Sequence, residues 1–148
     1  MTGTSSFDVA IVGGGMVGAS IAYWLAPHRR VLLLEGESAP GYHATGRSAA
    51  LYAPAYGPPM IRALTRASRA FFDAPPPGFS SVPLLGTRGA LFVAEAAQAA
   101  AARGLHASLV AEGAAVNLLD GSEVRSYVPI LKPAASEVGV YDADAFDI

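Results

Sequence analysis

The stretch D-V-A-I-V-G-G-G-M-V-G, residues 8–18, decides the fold of this 148-residue chain. Its first half is a short apolar run rich in β-branched side chains, which predicts a parallel strand buried on both faces. Glycines end that run, and the apolar residues 16–26 then predict a helix that stops before Pro27. A second apolar run follows at residues 31–34. A strand, a helix and a strand within about thirty residues predict one crossover unit with a parallel sheet.

Three glycines at the strand-to-helix junction form the pattern G-x-G-x-x-G. Gly13 permits a tight turn, Gly15 lets a pyrophosphate approach the main chain, and Gly18 lets the helix pack closely on the strand. The amides and the dipole of the helix N-terminus attract phosphate. Glu35, seventeen residues after Gly18, is placed to accept hydrogen bonds from ribose hydroxyls, which argues against the 2′-phosphate of NADP. A tight turn without a ligand, with Glu35 as a surface carboxylate, is the alternative.

FAD and NAD present the same adenosine diphosphate half to such a unit, so the following loop must separate them. Residues 39–59 are rich in Gly and Pro and show little periodicity, which predicts an extended, ordered loop of the kind found at functional sites. The small and hydroxyl side chains of residues 43–50 suit a pyrophosphate and a flavin, and Arg47 can neutralise phosphate charge. An NAD-dependent domain would instead need strands and helices alternating after Glu35. FAD is therefore the favoured cofactor.

The middle of the chain predicts an amphipathic helix over residues 60–73. Ile61, Leu64, Phe71 and Phe72 share one face of this helix. Arg62, Arg66 and Arg69 share another, which we interpret as a solvated surface. Residues 75–78, three prolines and a glycine, end the helix.

A second pattern of elements follows that proline-rich break. Strands are predicted at residues 89–93, 116–119 and 138–141, with an alanine-rich helix over residues 94–112 that Gly113 caps. Asp120, with Glu123 three positions later, resembles a capping box for a further short helix.

The composition excludes several classes of function. Hydrophobic residues make up 52% and charged residues 15% of the chain, which indicates a folded core. The net charge of -2 offers no basic surface for nucleic acid or an anionic membrane. Without cysteine there is no disulfide, thiolate metal site or cysteinyl flavin link, and a cytoplasmic address is favoured. Glycines interrupt the uncharged residues 9–27, which argues against a membrane span, and no histidine has neighbours that would complete a metal site.

The chain resembles the D-amino acid oxidase-like family of FAD-dependent oxidoreductases, and within it most closely the D-arginine dehydrogenases. The resemblance runs through nearly the whole sequence. It is carried by residues 8–18, Tyr23-Trp24-Leu25, Pro40-Gly41-Tyr42-His43, residues 45–50, Ala55-Tyr56-Gly57, residues 62–65, residues 68–73 and Pro83-Leu84-Leu85.

The resemblance implies oxidative deamination of an amino acid, expected to be a D-amino acid, to a 2-oxo acid and ammonia. The flavin N5 would take a hydride from the substrate α-carbon. The positions that match the family's FAD-contacting stretches are Gly13, Gly15, Val17, Gly18, Glu35, Gly36, Ala44, Thr45, Gly46, Arg47, Ser48, Ala49, Ala50 and Leu51. Tyr56 matches an active-site tyrosine and is the candidate catalytic residue.

Three positions depart from the D-arginine dehydrogenase pattern. Leu51 stands where those enzymes have an active-site histidine, and Ala90 stands where they have the glutamate that pairs with a cationic side chain. Ala53 replaces a threonine of the same site. Because a cationic substrate loses its charge partner, we expect a neutral or apolar amino acid instead.

Family members are far longer than this chain, so we expect it to be their N-terminal portion. Residues 1–80 would be the N-terminal part of the FAD-binding domain, a Rossmann-type βαβ unit of the α/β class. Residues 81–148 would begin an α+β substrate-binding domain. The arginine that clamps the substrate carboxylate in the family lies beyond Ile148, so the fragment alone is expected to be inactive and to need its missing half, or an electron acceptor, as partner. A non-catalytic FAD-binding module acting with a partner is the alternative from another functional class.

Overall fold

A computed structural model describes residues 6–148, and the chain divides into two compact units at Ala49 and Ala50. Unit 1 holds strand β1 (Val9–Val12), helix α1 (Met16–Leu25), strand β2 (Val31–Leu34) and a 3-10 turn (Thr45–Arg47). β1 and β2 pair in parallel, which confirms the predicted crossover unit and the α/β class.

The parallel pair of unit 1 is joined at both of its ends. At the start, the Asp8 carboxylate accepts a hydrogen bond from the Arg30 amide at 2.9 Å. At the finish, the Gly13 amide donates to the Leu34 carbonyl oxygen at 2.7 Å. The sheet therefore delivers Gly13 and the residues after Leu34 to the same edge, the carboxyl ends of the strands, where ligands of parallel sheets bind.

Unit 2 is built on an antiparallel sheet of three strands, β5 (Ala90–Ala94), β7 (Val138–Asp142) and β6 (Val116–Asp120), with β7 in the centre. Helix α3 (Ala99–Ala111) and helix α4 (Gly121–Tyr127) connect its strands. Its buried core comprises Leu109, Val116, Val124, Val138 and Val140. The predicted capping box is confirmed, because Asp120 and Glu123 each accept from the other's main-chain amide.

A second, smaller sheet of unit 2 was not expected. Its strands are β3 (Leu51–Tyr52), β8 (Phe146–Asp147) and β4 (Gly86–Thr87), all antiparallel. The loop predicted over residues 39–59 is therefore wrong in part, since it contains both the 3-10 turn and β3. Strands of two residues are too short to show alternation, so they depend on the partner strand and not on local pattern.

The small sheet also accounts for where the compact units divide. Because β3 and β4 both pair with β8, residues near 50 and 86 are tied to the C-terminal end of the chain. Helix α2 (Pro59–Asp73) lies between those two strands in sequence and belongs to unit 2 as well. The assignment of residues 1–80 to an FAD-binding domain and 81–148 to a substrate-binding domain stays a prediction.

The arginine face of α2 is packed, contrary to the expected solvated surface. Arg62 is only 4% exposed, whereas the apolar Ile61 and Leu64 are 48% and 59% exposed. The Arg62 guanidinium donates to both carboxylate oxygens of Glu112, at the end of α3, which lets a charged face be buried. Arg69 is also engaged, since its guanidinium lies 2.8 Å from Asp73 and 4.5 Å from the centre of the Phe146 ring.

Asp142, at the end of β7, is 2% exposed, and this burial raises its pKa despite hydrogen bonds from the amides of Asp144 and Ala55. A carboxyl group whose pKa is higher folded than unfolded favours the folded state most at low pH, and that advantage is lost as the pH rises through the folded pKa. We expect the Asp142→Asn variant to lack this loss. Urea unfolding at a series of pH values from 4 to 8 measures this. The free energy of unfolding of the variant should increase relative to that of the wild type as the pH rises. A constant difference across the series would contradict the assignment.

Among residues 6–148, no helix has the length and apolar character needed to cross a membrane. The same residues contain no cluster of histidine and carboxylate side chains arranged to hold a metal ion.

Candidate cofactor site

The turn between β1 and α1 requires glycine at two positions. Gly13 has φ +99°, a left-handed conformation that side chains disfavour. At Gly18 a Cβ atom would lie 1.9 Å from the Gly13 carbonyl oxygen and 3.3 Å from Ile11 Cγ2. Helix α1 therefore sits against the end of β1 at a separation that only a residue without a side chain allows.

Some main-chain amides of this turn already donate a hydrogen bond, and others are open, that is, they have no acceptor. The Gly14 amide donates to Glu35 Oε2 at 2.7 Å, and the Met16 amide donates to Thr45 Oγ1 at 2.9 Å. Within the part of the chain that the structure describes, the amides of Gly15 and Val17 have no acceptor. The first turn of α1 carries no acidic residue to offset its positive end. The site thus presents open donors where a phosphate oxygen would bind.

Glu35 is held by three main-chain amides. Besides Gly14, the amides of Gly36 and Glu37 donate to its Oε1 at 2.7 and 3.0 Å. The bond from Glu37 and then the bond from Gly14 lower the pKa of Glu35, so the side chain is a carboxylate at neutral pH. A carboxylate has about four acceptor positions, and three are used here. One remains for a ribose hydroxyl.

Thr45 connects the loop after β2 to the helix N-terminus. It begins the 3-10 turn, and its Oγ1 would lie 3.1 Å from a Cβ atom placed on Gly15. The Gly46 amide donates to the Gly41 carbonyl oxygen at 2.7 Å, which closes the loop on itself. The Arg47 guanidinium lies over the Tyr42 ring, 5.5 Å from its centre, and is exposed. Unit 1 therefore places a hydroxyl beside the open amides and a cation in the same loop.

The predicted cofactor residues fall into both units. Within unit 1 the structure brings together Gly13, Gly15, Gly18, Glu35 and Thr45 through the contacts above. Exposed positions of unit 1 in the same predicted set are Val17, Gly36, Ala44, Gly46, Arg47, Ser48 and Ala49. Ala50 and Leu51 belong to unit 2, where the Ala50 carbonyl oxygen accepts from the Ile148 amide at 2.8 Å and Leu51 pairs with Asp147.

The candidate catalytic residue Tyr56 lies on a turn of unit 2 and is 67% exposed. Its amide donates to the Ala53 carbonyl oxygen at 3.1 Å. The next residue, Gly57, accepts from Arg62 Nη1 at 2.6 Å. Arg62 is in turn paired with the half-buried Glu112, so this ion pair anchors the turn that carries Tyr56. The sequence did not indicate that Arg62 and Glu112 form an ion pair, because they lie fifty residues apart in the chain.

This geometry fits the adenosine diphosphate part of a dinucleotide. The turn leaves a cradle at Gly13 and Gly15 that a side chain would fill, and the open amides supply phosphate donors. Glu35 is ionised and retains an acceptor for a ribose hydroxyl.

A family model described as FAD dependent oxidoreductase (DAO) matches residues 8–148, nearly the whole chain. The chain belongs to this family. FAD is the cofactor of these oxidoreductases. The family therefore argues against the two alternatives, a turn that binds no ligand and an NAD site.

Individual relatives are similar to parts of this chain. The L-2-hydroxyglutarate dehydrogenase of Escherichia coli (strain K12) is 40% identical over 77 residues, which cover 45% of this chain and 18% of that protein. Glycine oxidase from Bacillus cereus ATCC 14579 has a TM-score of 0.72 at 27% identity, covering 96% of this chain and 40% of that one. The FAD-bound L-α-glycerophosphate oxidase from Mycoplasma pneumoniae has a TM-score of 0.78 at 18% identity, covering 98% and 39%. The chain thus spans about two fifths of these solved structures.

Proposed function

We propose that this chain provides the adenine-dinucleotide site, and part of the substrate domain, of an enzyme that oxidatively deaminates a neutral amino acid. The D-enantiomer is the proposed substrate, and the products are a 2-oxo acid and ammonia. The observation that carries the proposal is the likeness to glycine oxidase, which extends over 96% of this chain at 27% identity. The proposed domains are residues 1–80 for FAD and 81–148 for substrate. A cytoplasmic address remains a prediction from the cysteine-free composition.

Unit 1 supplies the groups proposed to hold the cofactor. The amides of Gly15 and Val17 would donate to the pyrophosphate, and Arg47 would neutralise its charge. Glu35 would accept from the adenosine ribose. The chemistry that FAD supplies when bound is acceptance of a hydride from the substrate α-carbon at N5, after which water hydrolyses the resulting imine.

Unit 2 supplies the groups proposed to face the substrate. Tyr56 is exposed, and its hydroxyl both donates and accepts hydrogen bonds, which suits the orientation of an amino acid. Leu51, Ala53 and Ala90 contribute only apolar side chains where the D-arginine dehydrogenases have polar or charged ones. This composition supports a neutral substrate over a cationic one, and so a specificity different from that of the D-arginine branch.

Substrate preference provides the test. We expect protein expressed from the complete reading frame, loaded with FAD, to lose its flavin absorbance faster with D-methionine or D-phenylalanine than with D-arginine, by about tenfold or more. The Ala90→Glu variant restores a carboxylate and is expected to shift the ratio toward D-arginine. Faster reduction by D-arginine in the wild type would overturn the assignment of a neutral substrate.

Oxidation of a 2-hydroxy acid is the second candidate, favoured by the 40% identity to L-2-hydroxyglutarate dehydrogenase over part of the chain. The same assay distinguishes the two, with L-2-hydroxyglutarate as the added substrate. Bleaching of the flavin by the hydroxy acid alone would show that a 2-hydroxy acid, and not an amino acid, is the substrate. Flavin binding with no bleaching by either class would favour a non-catalytic FAD-binding module.

A further inference from the structure

Glu37 and His43 form an ion pair in the loop of unit 1 that follows β2. His43 Nε2 lies 2.7 Å from Glu37 Oε1, and neither residue is among the positions matched to FAD-contacting stretches. The His43 side chain is 67% exposed and that of Glu37 is 42% exposed. Exposed ion pairs contribute little to the stability of a fold. The contacts around the pair indicate a different role.

On one side, the pair is connected to the glycine turn between β1 and α1. The Glu35 carboxylate accepts from the Gly14 amide at 2.7 Å and from the Glu37 amide at 3.0 Å. The main chain of Glu37 is therefore fixed to the turn through Glu35, and its side chain contacts His43. His43 is thus connected to the glycine turn through two carboxylates.

On the other side, His43 belongs to the loop that places Thr45 at the N-terminus of α1. The Gly46 amide donates to the Gly41 carbonyl oxygen at 2.7 Å, so this loop closes on itself. Thr45 Oγ1 accepts from the Met16 amide at 2.9 Å. The closed loop is therefore attached at two points, to α1 by Thr45 and to the residues after β2 by His43.

These contacts form a closed network around the open amide of Gly15. Gly14 and Met16 flank it in sequence and donate to Glu35 and Thr45, and the ion pair connects those two acceptors. The ion pair is the link of this network made between two side chains, whereas its other hydrogen bonds come from main-chain amides. Loss of the ion pair would release one of the two attachments of the loop, and so loosen the hydroxyl beside the open amide.

The pair also sets the charge at this edge of the sheet. Glu35 and Glu37 are two carboxylates where a phosphate would bind, and a carboxylate without a cation repels an anion. A protonated His43 neutralises Glu37 and lies within electrostatic reach of Glu35. Arg47 is a further charge near His43, because its guanidinium lies over the Tyr42 ring that His43 contacts edge-on.

We propose that Glu37 and His43 are positioning residues for the dinucleotide, which the protein binds more tightly when His43 is protonated. This proposal rests on the assignment of the edge to the adenosine diphosphate half of FAD. Histidine changes its charge between about pH 5 and 8, so the affinity should fall as the pH rises through that range. Glu35 does not contribute to this dependence, because the bonds from the Glu37 and Gly14 amides lower its pKa and keep it ionised.

Titration of flavin-free protein with ADP-ribose at pH 5.5 and at pH 8 measures the dependence. ADP-ribose carries the adenosine diphosphate half without a phosphate monoester, so its own charge is constant in this range. We expect its dissociation constant to rise by about two- to fivefold at the higher pH, the size of effect that one exposed ion pair provides. His43→Gln is expected to remove this rise. The matched variant His28→Gln, at an exposed position of the same unit, is expected to keep it.

Glu37→Gln separates positioning through the loop from direct attraction of the phosphates by His43. If the ion pair acts through the loop, the pH dependence disappears in Glu37→Gln as it does in His43→Gln. If a protonated His43 attracts the phosphates by itself, the dependence persists in Glu37→Gln, and this result would overturn the proposal.

Hydrogen exchange at the Met16 amide, measured without nucleotide, tests the loop separately. His43→Gln and Glu37→Gln are each expected to quicken this exchange by about two- to fivefold at pH 5.5, and His28→Gln to leave it unchanged. Equal exchange in the wild type and in His43→Gln would also overturn the proposal. If the exchange rates differ as expected but the wild type binds no ADP-ribose, the proposed dinucleotide site is contradicted, and with it the link from the ion pair to the cofactor.

Discussion

Gly18→Ala is expected to abolish tight binding of FAD. It is also expected to abolish tight binding of ADP, a ligand that tests the adenosine diphosphate half of the site alone. The new methyl carbon would lie 1.9 Å from the Gly13 carbonyl oxygen, a main-chain atom that cannot rotate away. Relief requires helix α1 to move outward from β1, and with it the open amides of Gly15 and Val17. Forced overpacking of this kind costs on the order of 3 kcal/mol, so we expect ADP affinity to fall by about a hundredfold.

Isothermal titration with ADP measures this loss, and adenosine without phosphates serves as the reference ligand. Gly104→Ala is the matched substitution, since nothing lies within 4 Å of a Cβ atom at that helical position. It is expected to keep ADP binding and to stabilise α3 by up to about 1 kcal/mol. Equal ADP affinity in wild type and Gly18→Ala would show that the turn does not hold the dinucleotide.

The turn was predictable because everything that shapes it is local. Residues 8–18 contain the strand, the glycines and the helix start, and the apolar run at β2 completes the crossover within a short distance. The capping box of α4 was predictable for the same reason, since Asp120 and Glu123 are three residues apart. The acceptors of two amides of the turn were not predictable in this way. Glu35 reaches the Gly14 amide, and Thr45 reaches the Met16 amide, only through tertiary folding.

The arginine face of α2 shows where pattern fails. A stripe of like charges on an amphipathic helix predicts exposure unless an opposite charge is brought to it. Glu112 lies fifty residues after Arg62 and is the last residue before a glycine, with nothing local to indicate its partner. The apolar residues Ile61 and Leu64 remain exposed, although apolar side chains are the ones expected in a core.

Glu112→Gln is expected to lower the melting temperature of the protein by a few degrees, because it leaves the Arg62 guanidinium without its anionic partner. Hydrogen bonds from Arg62, assisted by the Arg66 charge, pull the pKa of Glu112 down to about 2. An acid whose pKa is lower folded than unfolded stabilises the fold above its unfolded value, 4.5, and that stability is lost as the pH falls toward 2. The variant lacks this ionisation, so its stability deficit should shrink across that range.

Unfolding by urea between pH 2 and 7 measures the deficit, and Glu95→Gln removes an exposed carboxylate of the same unit as the control. A deficit that is constant with pH would mean that packing, and not ionisation, explains the loss.

Because Arg62 also donates to the Gly57 carbonyl oxygen, the turn that carries Tyr56 should loosen in Glu112→Gln. Hydrogen exchange at the Tyr56 amide, bonded to Ala53 in the wild type, should therefore quicken in Glu112→Gln and stay unchanged in Glu95→Gln. The ion pair would then be what holds in place the turn that carries Tyr56, the candidate catalytic residue.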